Sequence, residues 1–136
     1  MNAMEKVAWT QLLVSVAAIA AACLLIPWFG SRATIGFALL ALSALSVVFL
    51  GRRGDRVVVD ERDREIESRA TRIGVGTTWM TVTSALIAAT TWSSYADVNA
   101  VSTSFLNWLI WIQFAMLFGL KGLASIVMYR SRPHAA

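Results

Sequence analysis

Four long stretches of this chain contain no Asp, Glu, Lys, Arg or His: residues 7–27, 33–50, 74–96 and 98–120. A bilayer core about 30 Å thick is crossed by about 20 apolar helical residues rising about 1.5 Å each. Each run is near that length. The sequence therefore predicts an all-α integral membrane protein, a four-helix bundle with spans at about 7–27, 33–50, 74–94 and 104–128. Lipid-facing backbone must satisfy its own hydrogen bonds, which leaves helices or a closed barrel. The runs are continuously apolar and lack the alternation of barrel strands. The spans take up most of the 136 residues, so residues 1–136 read as a single membrane domain.

Only 15% of residues are charged, with a net charge of +4. In a soluble chain such a balance points toward nucleic acid, but here the arginines are interleaved with acids and form no phosphate-binding stripe. No nucleic-acid partner is expected; the lipid bilayer is. The basic residues instead give orientation. Lys6 precedes the first run, seven arginines lie in the 51–72 connection, and Arg130 and Arg132 follow the last run. The first connection carries only Arg32, and the third carries Asp97 with no basic residue. Basic residues concentrate on the cytoplasmic side. Both termini and the 51–73 segment are thus expected in the cytoplasm, with the chain in the cell (inner) membrane. The aromatics agree. Trp28, Phe29, Trp92, Tyr95, Phe105 and Trp108 fall near the outer boundary, and Trp9, Trp79 and Tyr129 near the inner one, where amphipathic rings collect.

Small residues crowd the runs: Ala17, Ala18, Ala20, Ala21 and Ala22 in the first, Ala38, Ala41 and Ala44 in the second, Gly74 and Gly76 in the third, Gly119 and Gly122 in the fourth. In lipid, such residues let helix backbones approach closely. Their presence on every run, in a bundle with few interior positions, predicts a homodimer or larger assembly. The threonines of the third run are expected to bond back to their own helix carbonyls rather than line a pore. Cys23 is the only cysteine, so no internal disulfide is expected, and it reads as a buried small residue within a span.

The segment from Val57 to Ile73 is the most distinctive. Asp60 is placed to cap a helix, with Asp63 three residues on. Acids come first and Arg69 and Arg72 later, as the helix dipole favours, and Glu65 and Arg69 are spaced to pair. No Gly or Pro interrupts residues 61–73. A helix is expected to start near Asp60 and run directly into the third span, extending it into the cytoplasm. Ile66, Ala70 and Ile73 fall on one side of it and should pack. The bland reading is a solvated, ion-paired helix; the sharper one is a docking surface or latch built on Asp60, Glu61, Arg62, Asp63 and Ile66. Carboxylates interleaved with arginine, without His or Cys, make poor metal ligands, so no metal is expected. The pattern D-E-R-D-x-x-I-x-x-x-A, at Asp60, Glu61, Arg62, Asp63, Ile66 and Ala70, follows a short Val run and leads into an apolar span. It resembles a family of small prokaryotic four-span membrane proteins without an assigned function. That resemblance implies a fold and no activity.

Catalysis is not expected and no cofactor is implied. His134 is the only histidine and lies in the tail; no nucleophile–base pair can be assembled. Lys121 is the one charge near the middle of a candidate span. Its ammonium is expected to point toward the cytoplasmic face, by snorkelling along its stem or by reaching an acid of the 60–67 segment as a latch; a substrate or ion site is the third reading. In size and span number the chain resembles the four-span multidrug exporters, whose mechanism requires a membrane-embedded carboxylate. The apolar runs contain none. The leading expectation is a non-catalytic protein that acts through contacts with a membrane or cytoplasmic protein partner, as an accessory subunit, regulator or immunity-type protein. The alternative is a small homo-oligomeric transporter or channel.

Overall fold

The computed structural model describes residues 3–43, 61–96 and 100–131. It contains three long α-helices: α1 (Ala3–Phe29), α2 (Glu61–Tyr95) and α3 (Thr103–Ser131). A 3-10 helix, Gly30–Ala41, follows α1 directly. The chain turns at Gly30, whose φ of 54° is one that residues with a side chain rarely adopt. At the start of α3, the Leu106 N–H donates to the Ser102 carbonyl at 3.2 Å.

The last helix is the shared partner of the others. It packs against α1, against α2 and, more lightly, against the 3-10 helix. Glycines mark the closest approaches and give the directions. A methyl group on Gly122 would stand 2.8 Å from the Ala8 carbonyl oxygen, and one on Gly119 would stand 3.4 Å from Ser15 Cβ. α1 and α3 are therefore antiparallel. Gly74 meets Leu117 and Lys121, and Asp63 meets Tyr129, so α2 also runs antiparallel to α3. The starts of α1 and α2 and the end of α3 thus share one end of the molecule. Trp28, Trp92 and Tyr95, all strongly exposed, share the other.

The core lies between α1, the 3-10 helix and α3. Ala18 and Ala22 are fully buried against Phe37, Leu40 and Ala115. Phe37 stacks on Trp111 at 6.3 Å and meets the edge of Trp108 at 5.9 Å. Such ring pairs contribute about 0.5–1.5 kcal/mol beyond the area they cover. Most large apolar side chains, including Leu13, Leu24, Trp79, Met80 and Ile87, face outward. So extensive an apolar surface is ordinary only where the solvent is lipid. The chain is a small multi-span helical membrane protein.

Two expectations are corrected here. The four-helix bundle is replaced by three long apolar helices: the stretches long and apolar enough to cross a membrane are Met4–Ala41, Glu61–Tyr95 and Thr103–Ser131, the first joining α1 to the 3-10 helix. The second apolar run does not supply a fourth long helix among the described residues; residues 44–50 lie outside them. Its buried positions form two adjacent rows, Ala33 with Gly36 and Phe37 with Leu40 and Ser43. An α-helix would bury the same positions; the backbone hydrogen bonds are what make Gly30–Ala41 a 3-10 helix. Twelve residues at about 2.0 Å each rise only about 24 Å. Such tight helices seldom run so far; here α1 holds it, with a methyl on Gly36 only 2.5 Å from Ala22 N. The second correction concerns small residues. Ala38 and Ala41 face outward, Gly36 rather than an alanine makes the close approach, and Cys23, expected to be buried, is exposed because α1 turns Ala18 and Ala22 inward instead.

Candidate functional site

The polar groups of the molecule converge where the first half of α2 meets the end of α3. α2 is one unbroken helix of 35 residues. At about 1.5 Å each it is about 52 Å long, far more than a bilayer core of about 30 Å. Its first turn carries Glu61 and Asp63, favourably placed against the dipole. The residues it buries are Asp63, Ile66, Ala70, Gly74 and Thr78, one helical face turned to α3. Gly74 allows the approach: a methyl there would meet the Leu117 carbonyl oxygen at 3.2 Å and Lys121 Cβ at 3.2 Å.

Two polar cross-links fasten this face. The Tyr129 hydroxyl donates to Asp63 Oδ1 at 2.8 Å, and Asp63 is only 4% exposed. The Lys121 ammonium pairs with the Glu67 carboxylate. The membrane boundary at this end follows from the charges. Arg64, Arg69 and Arg72 are exposed on α2 and cannot face hydrocarbon. The hydrocarbon therefore begins beyond Arg72. The antiparallel register sets Lys121 beside that level, at the edge of the bilayer rather than within it, and Tyr129 well outside. Burial pushes the Tyr129 hydroxyl above its usual range, and Asp63 pushes the same way; Arg62 opposes them. On the far side of α3, the Arg130 guanidinium lies 5.4 Å from the centre of the Trp9 ring, a cation–π contact joining α1 to α3.

Beyond the boundary the character changes. Thr81 and Thr90 donate back to Thr77 and Leu86 carbonyls at 2.9 Å each, and Ser94 to that of Thr90 at 3.0 Å. At the far end a cleft opens between α2 and α3, lined by Ala85, Ala88, Ala89, Trp92 and Phe105. A second cleft lies between the 3-10 helix and α3, where Asn107 Nδ2 donates to Thr34 Oγ1 at 3.2 Å and Arg32 lines the wall. Two buried hydroxyls, on Ser15 and Thr78, have no hydrogen-bond partner among the described residues.

The residues singled out by sequence divide between two faces. Asp63 and Ile66 are buried against α3, and Lys121 joins them through Glu67. Glu61 is exposed, Arg62 half-buried, and both are engaged in further interactions. Asp60, Asp97, His134 and residues 57–59 lie outside the described residues. Ile73 was expected to pack but is 47% exposed; Gly74 occupies the buried line instead. The Glu65–Arg69 pair forms at 2.6 Å, exposed and thus worth little. The sequence offered Lys121 an acid of the 60–67 segment without singling out Glu67, and Tyr129 read only as an interfacial aromatic. No family model, no curated protein and no solved structure matches this chain. The resemblance to a four-span family is therefore withdrawn: its motif of short charged residues recurs at many helix starts, and the fold here has three long helices. Among the described residues, no group of three or more His, Cys, Asp or Glu is placed to hold a metal ion. The arrangement fastens helices together and presents charge outside the bilayer.

Proposed function

We propose that this chain is a non-catalytic inner-membrane protein that works through protein–protein contacts, as an accessory subunit, a regulator or an immunity-type protein. The observation that carries this reading is the fastened stub of α2. Asp63, Ile66, Ala70 and Glu67 hold it to α3, so it stands outside the bilayer as a stiff helix with Arg64, Ser68 and Arg72 outward. Beside them a cleft with an apolar floor of Ile66 and Met128, edged by Arg62 and Arg69, suits an amphipathic segment of a cytoplasmic partner. A stiff, pre-ordered surface binds without the entropy cost of ordering itself. Self-association belongs to the same reading, since the outer half of α2 shows small residues to lipid.

Co-purification from native membranes in mild detergent, read by native mass spectrometry, tests both parts. A stoichiometric protein partner is expected, lost in a double variant Arg64→Glu, Arg72→Glu that leaves the cross-links intact, together with a dimer of the chain. The second reading, a small homo-oligomeric transporter or channel, is favoured by the apolar cleft between α2 and α3 at the far end. Substrate-dependent flux from the purified protein in liposomes, without any partner in membranes, would replace the contact reading by this one.

A further inference from the structure

Arg32 stands apart from the other basic residues. It lies just past the Gly30 turn, at the end of the molecule that carries Trp28, Trp92 and Tyr95. Among the described residues it is the only cation at that end, and no acid pairs with it. An arginine carried across the membrane against the usual charge bias is costly to place there.

We propose that the cleft around Arg32 binds the phosphodiester headgroup of an anionic phospholipid, in the leaflet opposite the charged end of α2. The cleft has the chemistry of that ligand. The guanidinium is a planar fork that matches two phosphate oxygens at once. Thr103 and Ser104 line the same cleft and supply hydroxyl donors for the remaining oxygens. The walls are braced: Asn107 is tied to Thr34, and Trp111 is stacked on the buried Phe37. The mixed lining decides between a lipid and a free ion. Arg32, Thr103 and Ser104 are among the first residues of their helices, whereas Ile35 and Trp111 lie further along and add apolar surface, with the Thr34 hydroxyl between them taken up by Asn107. A phospholipid has this same sequence of parts, phosphate outermost and acyl chain beneath; inorganic phosphate has no use for the apolar half. The site is separate from the contact surface at the other end.

The test is native mass spectrometry of the delipidated full-length chain, titrated with phosphatidylglycerol, phosphatidylcholine or inorganic phosphate. One phosphatidylglycerol should be retained preferentially over phosphatidylcholine. Arg32→Gln should reduce that preference about fivefold, the ratio expected for one basic residue at a membrane surface. Arg32→Lys should keep most of it. The comparison of lipids on the unaltered protein does not depend on how any variant folds. Equal retention of both lipids overturns the proposal. So does a preference that survives Arg32→Gln, or displacement of the lipid by inorganic phosphate at matched concentration.

Discussion

Asp63 shows how much one side chain can decide. It is a carboxylate with almost no exposure, and the Tyr129 hydroxyl is bonded to it across two helices. Asp63→Ala removes the acceptor and leaves that hydroxyl half-buried without one. The expected loss is about 1–3 kcal/mol, measured as a lower denaturation midpoint in detergent; Asp63→Asn, which still accepts, should recover most of it. An unchanged midpoint in the alanine variant would show that the bond does not hold the helices. Tyr129 adds a pH signature. Its hydroxyl is held above the ordinary value of 10.0, chiefly by burial and then by Asp63, so the native state favours the neutral phenol. The stability it contributes is complete below pH 10.0 and is lost as the pH rises further. Thermal scans from pH 8 to 11 should show this decline in the native chain and a weaker one in Tyr129→Phe. At this scale the sequence was partly legible. Acids before arginines announced a helix start, and the spacing of Glu65 and Arg69 announced their pair. The Asp63–Tyr129 bond spans 66 residues and depends on the register of two helices, which no local pattern encodes.

Among the elements, the 3-10 helix departs furthest from expectation. An apolar run of suitable length reads as a span, and hydropathy does not distinguish helical periods within it. The buried positions Ala33, Gly36, Phe37 and Leu40 fit an α-helical stripe equally well, so nothing in the sequence marked the tighter winding. Gly36 is where this element depends on α1. Gly36→Ala would drive a methyl against the backbone of Ala21 and Ala22, at 2.5–2.9 Å. Backbone cannot swing aside as a flexible side chain can. The expected cost is about 1–3 kcal/mol, read as a lower melting temperature in detergent. Gly76 is the control: nothing lies within 4 Å of a methyl there, and it sits inside α2. Gly76→Ala should be neutral or gain up to about 1 kcal/mol of helix propensity. If both substitutions behave alike, the 3-10 helix does not press on α1 as described. α2 was the most legible element, because its acids precede its arginines and no Gly or Pro interrupts residues 61–73.

For the whole molecule, orientation remains the most direct expectation. Ten basic residues in the termini and the 51–72 connection oppose the single Arg32. Reporter fusions after Arg56 and after Arg132 should both report cytoplasm; a periplasm-active fusion at either position reverses the molecule. The sequence disclosed the membrane, the paired ends and the polar extension, all of which follow from hydropathy and charge. It did not disclose the number of long helices or which helix is central, since those depend on close contacts made by single glycines. The centrality of α3 bears on how the protein is made. α1 rests about equally on the 3-10 helix and on α3, whereas α2 rests on α3, which is translated after it. At about 5–20 residues per second, translating α3 takes on the order of seconds. Through that interval α2 waits with Asp63 uncovered outside the bilayer and Gly74 and Thr78 uncovered within it. α1 and the 3-10 helix can pack as they emerge, whereas a nascent chain that stops before Thr103 leaves α2 without the helix it packs against.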